Sequence, residues 1–89
     1  MRYPYMTLDE NTEITHSSIR QDGTVLVYIE TPVCGGFHHA TCILPSYKWD
    51  EIHGYSDDEI AEYDDFLHHN AHLIIEFARE GGFPHATGV

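Results

Sequence analysis

Eight carboxylates fall within sixteen residues of this chain: Asp50, Glu51, Asp57, Asp58, Glu59, Glu62, Asp64 and Asp65, with no Lys or Arg among them. A surface of that sign can steer towards a cationic partner, raise the association rate and make binding weaken with salt. Part of the cluster has a local cause, because an acid at a helix start is stabilised by the macrodipole by about 0.3–1 kcal/mol. That accounts for Asp57, Asp58 and Glu59. It leaves Glu62, Asp64 and Asp65, beyond the first turn, without such a cause. Tyr55 and Tyr63 flank the run as aromatic anchors, although Tyr63 also suits a core position.

Just downstream, His68 and His72 stand at i and i+4, a spacing with which one helix face can clamp a divalent metal. Asp64 would be a third ligand on the same side. No fourth ligand is legible, and imidazoles beside carboxylates are also ordinary i,i+4 pairs on a solvated face. Weak binding of zinc or nickel at these histidines is one expectation, and no cofactor is expected otherwise. Cys34-x3-His38-His39-x2-Cys42 also mixes thiols and imidazoles, but it lacks paired knuckle spacing. On an extended strand His38 and Cys42 lie about 13 Å apart, too far to share one ion.

Fifteen Asp+Glu against four Lys+Arg in 89 residues give a formal charge of −11. That balance excludes direct nucleic-acid binding, which needs cations to meet phosphates, and attachment to an anionic membrane through a basic patch. No apolar run is long enough to span a bilayer. The start, Met1-Arg2-Tyr3-Pro4-Tyr5-Met6, lacks the apolar stretch of a secretory signal, so the expected setting is the cytoplasm. Two cysteines are too few for a disulfide scaffold; both are expected as reduced thiols, with Cys42 in the core. A Gly-x-Ser-x-Gly elbow, a Walker loop, a dinucleotide fingerprint and a His-Glu-x-x-His helix are all absent, and nothing marks a nucleophile or an oxyanion hole. Enzymatic activity is not expected.

The elements that must position these residues follow from patterning. Thr24–Glu30 alternates, with Val25, Val27 and Ile29 on one face and Leu26 and Tyr28 on the other. Asp22-Gly23 marks a turn before it, and Ile14–Arg20 leads in with weaker strand character. Thr31–Gly36 reads as a connection. Phe37–Leu44 reads as a strand stopped by Pro45, with Phe37, His39, Thr41 and Ile43 on one side and His38, Ala40, Cys42 and Leu44 on the other. A short strand near Tyr5–Leu8 would bring the meander from three strands to four. Residues 45–55 are open, since Trp49 and Ile52 suit a turn, a short strand or a single helical turn equally.

The helix start is the sharpest local signal. Ser56-Asp57-Asp58-Glu59 is a capping box, with Tyr55 and Ile60 placed as a hydrophobic staple. Ile60, Tyr63, Phe66, Leu67, Ala71, Leu73, Ile74, Phe77 and Ala78 then recur at spacings of three and four, and Gly81-Gly82 supplies the stop. The predicted helix, 57–80, is about 36 Å long at 1.5 Å per residue. That length exceeds what a small sheet needs, so a homodimer through the C-terminal helix is a further expectation. Asn70 falls inside the apolar arc and must find partners in the sheet backbone, across a dimer axis or in its own helix.

Taken together the patterning predicts an α+β fold: a three- to four-stranded antiparallel meander packed on one long C-terminal helix. It forms a single domain over 1–89, with the meander at about 5–44, a connector at 45–55, the helix at 56–80 and a tail at 81–89. Val25, Val27, Ile29, Ile43 and the helix stripe would make the core. One heptapeptide repeats: Gly35-Gly36-Phe37-His38-His39-Ala40-Thr41 returns as Gly81-Gly82-Phe83-Pro84-His85-Ala86-Thr87. Pro84 would confine any strand there to a sheet edge.

The functional expectation is a non-enzymatic acidic binding module that inhibits a basic, nucleic-acid-handling protein by mimicking its ligand. Small acidic anti-restriction and anti-CRISPR proteins and antitoxins are analogous in composition only. Asp57, Asp58, Glu62, Asp64 and Asp65 would stand where phosphates bind, with Tyr55 beside them. Two other classes compete: a metal- or pH-responsive module using His68, His69 and His72, and a homodimeric structural protein whose charge maintains solubility.

Overall fold

Five strands run in chain order and one helix follows in the computed structural model, which describes residues 2–81. The strands are β1 (Tyr3–Leu8), β2 (Thr12–His16), β3 (Val25–Val33), β4 (Gly36–Leu44) and β5 (Lys48–His53); the helix is α1 (Asp57–Glu80). Each strand pairs antiparallel with its neighbour in sequence, so the spatial order is β1-β2-β3-β4-β5. The fold is α+β, with one strand more than the patterning predicts.

The added strand, β5, occupies the span read as a connector. Its alternation is hidden because only Trp49 packs on the core, while Asp50 and Glu51 are exposed. Register identifies it instead: Cys42 pairs with Trp49 and Ile43 with Lys48. Beyond a peptide that is cis between Leu44 and Pro45, Tyr47 sits at φ 61° and turns the chain back along β4. A second departure lies at Thr31–Gly36, where β3 continues to Val33 and the connection shrinks to Cys34-Gly35. Pro32 is tolerated because the pairing of β2 with β3 ends at Glu13 and Glu30; past that point β3 has β4 alone as neighbour. Gly35, at φ 87°, supplies the positive torsion that a two-residue hairpin turn needs. β2 stops at His16, four residues short of the predicted Arg20.

The helix covers one face of the sheet. Val25, Val27 and Ile29 of β3, with Ile14, Cys42 and Leu44, are fully buried against Leu67 and Ile74, and Tyr63, Ala71 and Ala78 complete the contact. Burying a side chain of this size contributes about 1.5–3 kcal/mol. Ile43 is not in that core. Because Val25 pairs with Leu44 and Val27 with Cys42, those four share a face and Ile43 points to the other. Leu73, counted in the helix stripe, is likewise exposed.

Both sheet edges are interrupted. β1 carries Pro4 and a register shift between Pro4 and Met6, and β5 is shifted opposite Thr41 and Cys42. Such bulges blunt an edge against pairing with another strand. The face away from the helix carries Glu13, Tyr28, Glu30, His39, Thr41 and His53, with Arg2 laid 3.8 Å from the centre of the Tyr28 ring and 2.9 Å from the Glu30 carboxylate. The second copy of the repeat from residue 82, the expected edge position of Pro84 and the tail 82–89 lie outside the described residues.

Candidate functional site

The acidic helix start is built by its cap. Ser56 Oγ accepts from the Glu59 amide at 3.1 Å while Glu59 Oε1 accepts from the Ser56 amide at 2.8 Å, so both halves of the capping box form. Glu59 is thereby committed to structure. At the far end Gly81, at φ 80°, closes the helix with its amide on the Phe77 carbonyl.

At 100° per residue, Asp58, Glu62, Asp65, His69, His72, Glu76 and Glu80 fall opposite the buried arc of Tyr63, Leu67, Ala71, Ile74 and Ala78. All seven are exposed. Among the described residues the ion pairs are Arg2–Glu30, His68–Asp64 and His69–Asp65, so no Lys or Arg neutralises this ridge. Three of the five carboxylates expected to act together, Asp58, Glu62 and Asp65, do share one outward face. Asp57 is exposed at its flank.

Asp64 does not join them. It turns towards β5, where its carboxylate accepts from Trp49 Nε1 at 3.2 Å and lies 3.4 Å from His68 Nδ1. The His68 ring lies flat on Tyr47, with ring centres 3.7 Å apart and planes 8° from parallel, and its Nδ1 donates to the Asp64 carbonyl at 2.8 Å. Asp64, His68, Tyr47 and Trp49 thus fasten the β4–β5 hairpin to the helix.

Tyr55 also has a structural task instead of standing free as an anchor. Its ring meets Tyr63 edge-on at 5.1 Å and His38 at 5.5 Å. Its hydroxyl donates to the His38 carbonyl at 3.3 Å and shares a hydrogen bond with Thr31 Oγ1 at 2.8 Å, which in turn bonds Thr12 Oγ1 at 2.7 Å. Burial pushes the phenol above its ordinary pKa. The expected staple partner, Ile60, packs on the core alongside it. Gly54, at φ 92°, makes this approach feasible, since any side chain there would run into the His38 ring.

Among the described residues no group of three or more His, Cys, Asp or Glu is placed to hold a metal ion, so His68, His72 and Asp64 do not converge. The His68 ring is occupied in its stack on Tyr47. The two cysteines are free, Cys34 exposed at a turn and Cys42 buried. Burial, with the Asp64 charge nearby, pushes the Cys42 thiol up to about 12, the opposite of what a metal-binding thiolate requires.

Two features escape the sequence reading. His39 and His53 stack across β4 and β5 with ring centres 4.6 Å apart, a pairing invisible until β5 exists. Around Glu10, Glu13, Glu30, Pro32 and the exposed Phe37 there is an open groove of about 420 Å³, a second acidic surface remote in sequence from the helix.

No helix among the described residues is long and apolar enough to cross a membrane. Comparison of the chain with protein-family models, with curated proteins and with solved structures finds no match.

Proposed function

We propose that this protein binds a basic, nucleic-acid-handling protein through the outward ridge of α1 and inhibits it by occupying positions that phosphates would otherwise take. Asp58, Glu62 and Asp65 carry the contact, with Asp57 at its flank. Asp64 and Tyr55 hold the helix and hairpin in place behind it. The supporting observation is the exposure of these three carboxylates on one helical face with no Lys or Arg paired to them. Exposed charges of one sign that no Lys or Arg neutralises raise the approach rate of an opposite surface and disfavour partners of their own sign.

The test is capture from the native host on the immobilised chain, read by mass spectrometry at low and high salt, with two charge-reversal variants beside the parent. Asp58→Lys, Glu62→Lys, Asp65→Lys together should abolish capture of a nucleic-acid-binding protein with the helical circular dichroism retained. Glu10→Lys with Glu13→Lys, on the other acidic surface, should leave it. Equal capture by the ridge variant removes the ridge as the contact surface.

A further inference from the structure

We propose that His39 and His53 form a two-imidazole site for a divalent transition-metal ion, Cu2+ or Ni2+ before Zn2+, on the open face of the sheet. The two residues are direct antiparallel partners on β4 and β5, and their rings lie 4.6 Å apart at 26°. Imidazole nitrogens bind such ions at about 2.0–2.1 Å, which places two nitrogens on one ion roughly 3–3.4 Å from each other. Rings already stacked across neighbouring strands stand close to that separation before any side chain turns.

The two rings are also chemically uncommitted. Among the described residues neither makes a hydrogen bond, whereas His16, His68 and His69 each hold a backbone carbonyl through Nδ1 at 2.8 Å. The surroundings favour a cation. Glu30 is the neighbour of His39 on β3, Glu13 is the neighbour of Glu30 on β2, and Glu51 precedes His53 by two residues on the same face. Among the described residues the cations on this face are Arg2, engaged with Glu30, and Lys48, towards the other end of β5. With two protein ligands and water in the remaining positions, the preference follows the general order for nitrogen donors, copper above nickel and zinc. A bound ion would tie the edge strand β5 to β4. This site is separate from the helical ridge and stands or falls independently of it.

The untagged full chain, titrated calorimetrically with Cu2+ and then Ni2+ near neutral pH, should bind one ion with micromolar affinity. His53→Ala and His39→Gln should each lose that binding, and His72→Ala, at an exposed position on the helix, should keep it. In the unmutated protein, substoichiometric Cu2+ should broaden the imidazole NMR signals of His39 and His53 before those of the helix histidines, a readout that no variant's folding can confuse. Absence of binding, unchanged binding in His53→Ala, or first broadening at His68 and His72 would each overturn the assignment.

Discussion

The Tyr5 hydroxyl donates to Asn70 Oδ1 at 2.7 Å, joining the irregular centre of the first strand to the middle of the helix, sixty-five residues later. The Asn70 amide nitrogen donates in turn to the Phe66 carbonyl at 2.9 Å. A polar side chain in the apolar arc is thereby satisfied by one tertiary and one local bond. Tyr5 also places its ring edge-on to Phe66 at 6.3 Å. Tyr5→Phe and Asn70→Ala should each cost about 0.5–2 kcal/mol in urea denaturation. A double-mutant cycle should return a coupling of about 0.5 kcal/mol or more, and additive losses would show that the bond contributes nothing.

Stability should fall at alkaline pH. Burial raises the pKa of Tyr5 and Tyr55 above the ordinary 10.0, and it lifts Cys42 from 9.0 to about 12. Each loses a charge-neutralising proton less readily when folded, so the native state binds more protons than the unfolded chain and stability declines with rising pH. The contribution is complete below the ordinary values and is lost as pH climbs through the raised ones. Chemical denaturation from pH 7 to 11 should show this, with a shallower decline in Tyr55→Phe.

Thiol reactivity should separate the two cysteines. A disulfide reagent at neutral pH should modify one thiol, Cys34, rapidly, and the second only on addition of denaturant, because Cys42 is buried. Two fast thiols in native buffer would contradict the placement of β4.

Two glycines with similar torsions should respond differently to alanine. Gly35, at φ 87°, has open space where a Cβ would go, so Gly35→Ala should cost only the left-handed backbone strain, about 1–2 kcal/mol. Gly54, at φ 92°, faces the His38 ring at that point, and Gly54→Ala should cost more. Thermal melts of the pair provide the comparison.

Face assignment on β4 is testable by truncation. Leu44→Ala removes a fully buried side chain and should cost about 2–5 kcal/mol, whereas Ile43→Ala on the open face should cost well under half as much. The reverse order would mean the strand is shifted by one residue.

Some of this architecture is legible in short stretches of chain. The helix bounds, Asp57–Glu80, follow from Ser56 with Glu59 at one end and Gly81 at the other, because capping is chemistry between groups three or four residues apart. The inward face of Val25, Val27 and Ile29 follows equally from a period of two. Within the candidate site, the grouping of Asp58, Glu62 and Asp65 follows from helical geometry alone.

Other features depend on which distant residues meet. The strand at Lys48–His53 has one half-buried apolar contact and reveals itself only through its register with β4. That register decides the pairing of His39 with His53, just as the register of β3 with β4 turns Leu44 inward and Ile43 outward. Asp64 and Tyr55 look like their neighbours in sequence; Trp49 and Thr31, brought from the sheet, make them fasteners. Local order along the chain is set by hydrogen bonds and periodicity within a few residues, and these are written in the sequence. Partnership across the sheet is set by the shared burial of one face against the helix, which exists only once the chain has closed on itself.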